Sequence, residues 1–302
     1  MRARNAVENA LGAAAMAAAL LTAPPAFPLG LERAGDIAPA GGGAGVLAPA
    51  ALWYDGVRDV IAVACPNLHR VVLLDRQGAV QKELGEGGEL RFPRSVAATR
   101  DGTLYVASPG EESLAVFERY AAAMGGEART LSLGAHRRSA AVRPSAVFAD
   151  ADGRLYVADR GNRQILVLGS DGAIERTLPN VGEPVDLWAD RSGTVYVAEP
   201  GFGGVRVYGA SGKLLRTLGT SPSQFREPIR PRAIAVDRAG RVWILEEGNR
   251  GIKALDALGN LLFARSAEGL FGPADLAIDP RDHLYVLEEG GNRIAVFRIT
   301  GT

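Results

Sequence analysis

Cysteine is nearly missing from this chain of 302 residues: Cys65 stands alone, so no intramolecular disulfide can brace the fold. Histidine is almost as scarce. The three present, His69, His136 and His283, follow no recognised ligand spacing, which argues against a histidine-rich zinc centre. Charge of either sign is not in excess, with 34 Lys and Arg against 34 Asp and Glu. Nothing in that balance draws the chain to nucleic acid, and no acidic tail exists. Amphipathic segments of helical period are absent from the repeats described below, which excludes helical solenoids. No nucleophile motif, phosphate-cradling loop or dinucleotide fingerprint occurs; Gly201-Phe-Gly-Gly leads into an apolar strand, not a helix.

What the chain has is glycine, 38 residues of it, with 17 prolines and 47% hydrophobic residues. That mixture fits an all-β protein with many tight turns and a large core. The stretch from Arg143 to Gly182 is the template. Short apolar runs rich in Val, Ile, Leu and Tyr alternate with Asp-x-x-Gly and Gly-Asn turns, which predicts four antiparallel strands. The pattern recurs from Pro49, Pro93, Pro144, Pro184, Pro231 and Pro273, at spacings of 44, 51, 40, 47 and 42 residues. This is the period of a four-stranded propeller blade. The reading is therefore a six-bladed β-propeller of four-stranded antiparallel blades over residues 49–302.

The segments Leu155-Tyr-Val-Ala-Asp-Arg-Gly-Asn-Arg163, Glu246-Glu-Gly-Asn-Arg250 and Glu288-Glu-Gly-Gly-Asn-Arg293 carry a resemblance. Each is followed by an apolar strand and a glycine turn, and in this the chain resembles the NHL-repeat six-bladed β-propellers. Blades one and two match less well, with Cys65-Pro-Asn-Leu-His-Arg70 and Ser108-Pro-Gly-Glu-Glu-Ser113 at that place. The resemblance implies a fold. It does not imply one activity, because that family spans RNA binding, protein binding, sensing and lyase chemistry.

Two features lie at the N-terminus. Arg2 and Arg4 precede an apolar run, Ala10–Thr22, and then small residues near Ala23–Ala26. This describes a signal peptide over residues 1–26, either cleaved near Ala23–Ala26 or kept as an anchor, and a periplasmic or extracellular location, with no membrane span once it is removed. Residues 38–48 read as a Gly-rich connector. The last blade ends after its third strand, so Leu29–Ile37 is expected to return as its outer strand and close the ring.

Propeller geometry places the loops between strands two and three on one face with the loops that link blades. Candidate ligand-binding residues there are Asp186 and Asp275, which start inner strands where other blades have Ala or Ser. Phe225, in the long loop before Pro231, has two readings: a plug in the groove between two blades, or an exposed anchor on the rim with Arg232 and Arg94 as flanking cations. The recurring sets Asp159/Arg163, Glu246/Arg250 and Glu288/Arg293 are expected to lock loops through charge-assisted bonds. The leading expectation is an exported, non-catalytic recognition propeller, a monomer, binding a protein, peptide or glycan without a cofactor. The alternative is a lactonase-like hydrolase or lyase using a divalent cation, calcium for preference, held by Asp186, Glu199, Asp275 and Glu288.

Overall fold

The computed structural model describes residues 29–38, 48–122, 127–136, 140–220, 224–225, 227–249 and 251–301. The expected signal segment, residues 1–26, lies outside them. Six sheets of four antiparallel strands form the ring. Strand β1 (Leu29–Ile37) comes first in the chain but belongs to the last blade. Blade one is β2 (Ala51–Asp55), β3 (Val60–Cys65), β4 (Arg70–Leu74) and β5 (Val80–Leu84). Blade two is β6 (Ser95–Ala98), β7 (Leu104–Ala107), β8 (Ser113–Phe117) and β9 (Ala128–Ser132). Blade three is β10 (Pro144–Ala149), β11 (Leu155–Asp159), β12 (Gln164–Leu168) and β13 (Ile174–Leu178). Blade four is β14 (Asp186–Ala189), β15 (Val195–Glu199), β16 (Gly204–Tyr208) and β17 (Leu214–Leu218). Blade five is β18 (Pro231–Val236), β19 (Val242–Glu246), β20 (Gly251–Leu255) and β21 (Leu261–Arg265). Blade six is β22 (Pro273–Ile278), β23 (His283–Glu288) and β24 (Arg293–Gly301), with β1 outermost.

The apolar residues of each sheet point both ways along the ring, so every blade is buried on both faces by its neighbours. Six clusters result, one in each groove between blades. Second strands such as Leu155–Asp159 are buried along their whole length, whereas outer strands such as Ile174–Leu178 alternate toward solvent. Cys65 sits in the groove between blades six and one, beside Tyr285 and Leu287. It packs there as a small apolar residue.

The first turns work as their residues require. Asp150 Oδ1 accepts from the backbone of Asp152 and Arg154, both at 2.9 Å, and Gly153 takes the left-handed φ of 83° that closes the turn. The other Asp150 oxygen accepts from Tyr156, and the same bond runs from Trp243 to Asp237 and from Tyr285 to Asp279. The second-strand aromatics are thus core residues whose polar tips hold the turns.

Ring closure follows the expectation. β1 pairs with β24 from Leu29 opposite Gly301 to Ile37 opposite Ile294, with one bulge between Arg33 and Gly35. Leu29 packs into the groove between blades five and six, and Ile37 into the groove between six and one. One strand therefore seals two grooves.

Candidate functional site

An inner strand pairs on one side only, so its other edge turns unpartnered N–H and C=O groups toward the axis. The residue two places after each blade-opening proline sits at that edge: Ala51, Ser95, Ala146, Asp186, Ala233 and Asp275. Alanine occupies the odd blades and a polar side chain the even ones. Asp186 accepts from its neighbour Leu187 N at 2.8 Å and from Ile234 N of blade five at 2.7 Å. Asp275 does the same with Leu276 N and with Leu52 N of blade one, both at 2.8 Å. Ser95 Oγ accepts from Val147 N of blade three at 3.0 Å. Blades two, four and six thus each latch the blade that follows. The alternation of Ala with Ser or Asp was visible in the sequence, but only the geometry supplies its partners.

The latches carry an electrostatic cost. Burial pushes the Asp186 carboxyl up to about 6, against the pull of the two N–H groups. Burial also raises Asp275 well above the ordinary carboxylate range, with the Asp186 charge adding to it and Arg232 opposing. Two buried like charges that feel each other resist full ionisation at neutral pH.

Below these carboxylates runs an axial cavity of about 400 Å³. Trp53, Phe148 and Trp188 line it, with Phe148 at 5.4 Å from Trp53 and 5.7 Å from Trp188 between ring centroids. The same position on blades five and six holds Ala235 and Ala277, which leaves the space opposite the rings.

The face bearing the blade-linking loops presents other residues. Arg232 donates from Nε to Ala274 O at 3.0 Å and lies 3.5 Å from Glu289, so it stands near Asp275 as its effect on that carboxyl requires. Arg94 is exposed at the start of β6, where its backbone N–H bonds to Ala107 O. Phe225 is not an exposed anchor. At 7% exposure it fills the groove between blades four and five with Ile229 and Tyr196, because the long loop folds back onto apolar surface that the ring leaves open. Phe225→Ala should therefore cost about 3 kcal/mol of stability, read as a lower denaturant midpoint at constant slope. An unchanged midpoint would refute the plug.

Glu199 and Glu288 do not join the axial pair either. Glu199 accepts from Gly182 N at 2.7 Å and from Tyr208, and pairs with Arg206 at 3.3 Å. Gly182 must be glycine, since a Cβ there would sit 2.3 Å from the Phe202 ring and 2.4 Å from the Glu199 carboxylate. Glu288 pairs with Arg293 at 2.5 Å as expected. Asp159 departs from the expected lock: it accepts from Asn162 and Gln164 rather than from Arg163. Arg250 lies outside the described residues; Glu246 pairs with Lys253. The donor set does not fit calcium, which takes about six to eight oxygens: of the four carboxylates only Asp186 and Asp275 line the axis, while Glu199 and Glu288 are held by Arg206 and Arg293. Among the described residues no three His, Cys, Asp or Glu side chains converge.

What sequence reasoning missed is a set of exposed aromatic rings on this face. Phe92, Phe202 and Phe271 are 56%, 50% and 59% exposed. Phe92 and Phe271 lie in blade-linking loops and Phe202 in a loop between second and third strands. Each is held by a neighbour: His69 meets Phe92 edge-on at 4.6 Å, Arg206 lies 4.4 Å over Phe202, and Arg293 lies 5.1 Å over Phe271. The signal was available in the phenylalanine that precedes Pro93 and the one that precedes Gly272-Pro273.

The fold has known counterparts. A streptogramin B lyase structure superposes with a TM-score of 0.60 at 11% identity, covering 90% of this chain and 98% of that one. An inactive histidine-to-alanine variant of virginiamycin B lyase from Staphylococcus aureus with quinupristin gives 0.62 at 15%, covering 86% and 82%. Hydrazine synthase of Kuenenia stuttgartiensis gives 0.60 at 15%, covering 84% and 96%. The chain is a six-bladed β-propeller. No protein-family model and no curated protein sequence matches it. At these identities the likeness carries the fold and nothing further. No helix among the described residues is long and apolar enough to cross a membrane.

Proposed function

We propose that this protein is an exported, non-catalytic recognition propeller of the NHL-repeat type that holds a polypeptide partner on its blade-linking face. The observation that carries this reading is the trio of exposed phenylalanines, Phe92, Phe202 and Phe271, on one end of the ring. Loops that only connect strands have no need of exposed rings, and desolvated aromatic and arginine side chains dominate binding energy at interfaces. The backing by His69, Arg206 and Arg293 holds the rings in place before binding, which lowers the ordering cost. Around them the charges are already paired, Arg230 with Glu247 and Arg160 with Glu183. Such a rim of mixed sign suits a polypeptide with apolar anchors better than a glycan or a uniformly acidic ligand. Arg232 and Arg94 contribute at the margin.

The test begins with a photo-crosslinking residue in place of Phe202, which should capture one polypeptide from the cell's exported fraction. The triple variant Phe92→Ser, Phe202→Ser, Phe271→Ser should then bind that purified polypeptide at least about a hundredfold more weakly, with its melting temperature nearly unchanged. Unaltered affinity would sink the proposal. A second reading is a lyase acting from the same face, the activity named for the streptogramin-type lyases that share this fold. Consumption of quinupristin by the purified protein with added divalent cation, abolished by chelator, would favour it over recognition.

A further inference from the structure

We propose that the axial cavity is a second binding site, one that takes a small organic cation: an ammonium group carried on an apolar, ring-sized body. The site is separate from the exposed phenylalanines and does not depend on how they are used.

Size comes first. A volume of about 400 Å³ lies within the range of small-molecule pockets, roughly 300–1,000 Å³. Shape comes next. Trp53, Phe148 and Trp188 make a continuous aromatic wall on blades one, three and four, while Ala235 and Ala277 stand back on blades five and six. A propeller that merely had to fill its axis would place bulk on every blade, and here blades five and six leave their share of it open.

Charge selects the ligand. Asp186 and Asp275 sit at the upper end of the wall, and Trp188 follows Asp186 by two residues on β14. Residues two apart on a strand share a face and lie about 6.6 Å apart. A cation at the carboxylates would thus have its apolar body beside the rings. Among the described residues the one basic side chain in the wall is Arg100, at the opposite mouth. Asp55 and Asp150, also at that mouth, are satisfied by Arg58, Tyr120 and their own turns. Although the Asp186 and Asp275 oxygens hold N–H groups, each carboxylate oxygen can accept a second bond. A cation between them would relieve their mutual repulsion, which an anion would aggravate and a neutral molecule would leave in place.

Calorimetry on the wild-type protein, with tryptophan fluorescence from Trp53 and Trp188, tests this directly. The probes are 2-phenylethylamine, its neutral counterpart 2-phenylethanol, and 3-phenylpropanoate. The amine should bind at least about tenfold tighter than the alcohol, and the carboxylate not measurably. Trp188→Ala should weaken the amine by about tenfold with the fold intact. Affinity should also rise with pH through about 6, where burial has moved Asp186, because the cation favours the ionised carboxylates while the amine stays charged. The groups facing this pair are the two aspartates themselves, Arg232, and the backbone N–H groups of Leu187, Ile234, Leu276 and Leu52. Equal affinity for amine and alcohol, or no binding of the amine at millimolar concentration, overturns the proposal. If Trp188→Ala fails to fold, the comparison of the three probes on wild type still decides it.

Discussion

Deletion of residues 27–37 should leave a protein with no cooperative melting transition near that of the full chain. Blade six would keep three strands, and β24 would expose its outer edge over the register from Ile294 to Gly301. Leu29 and Ile37, 5% and 6% exposed, each contribute about 1.5–3 kcal/mol by burial. The ladder bonds add about 1 kcal/mol apiece. The ion pair of Arg293 with Asp36 and that of Arg298 with Glu32 also tie β1 to β24, although exposed pairs of this kind add little. The sum rivals the whole stability of a typical domain, about 5–15 kcal/mol. Differential scanning calorimetry of the two chains measures it, and a synthetic peptide of residues 27–37 should restore part of the transition. A melting temperature unchanged by the deletion would show that the ring closes without this strand.

The axial aspartates should behave as latches first. Asp275→Ala orphans the N–H groups of Leu276 and Leu52 at once. The expected loss is about 2–3 kcal/mol, or roughly 4–12 °C in melting temperature for a domain of this size. Asp275→Ser should recover part of this, since Ser95 shows that a hydroxyl at the same place accepts the next blade's N–H. Protonation gives an independent reading. The folded-state Asp186 carboxyl lies near 6, above its ordinary value, so the folded protein binds the proton more tightly than the unfolded chain. Its contribution to stability is therefore present at low pH and lost as pH rises through about 6. Relative to Asp186→Asn, which cannot titrate there, the wild type should lose on the order of 2 kcal/mol between about pH 4 and pH 7.5. Denaturant melts at the two values measure this, and a constant difference between the proteins would remove the argument. Loss of fold in either variant would mark the carboxylates as wholly structural.

The architecture was legible because a propeller is written locally. Proline, turn aspartate and second strand recur at fixed offsets, and each element needs only its neighbours in sequence to form. Even the outer strand of blade six could be found by counting, since Leu29–Ile37 is a strand-length segment ahead of blade one that no other blade uses. The site was legible only in part. Asp186 and Asp275 were marked by breaking the repeat, yet their role depends on N–H groups on the adjoining blade, 48 residues downstream in one case and 223 upstream in the other. The sequence left Phe225 between a rim anchor and a groove plug and only its burial decided for the plug, while Phe92, Phe202 and Phe271 were passed over. A side chain's burial in a ring is decided by the groove it meets, and the groove belongs to two blades at once. The repeat by itself determined the blades and their number. Only the packing of one blade against the next determined which aromatic rings face water and which carboxylates meet at the axis.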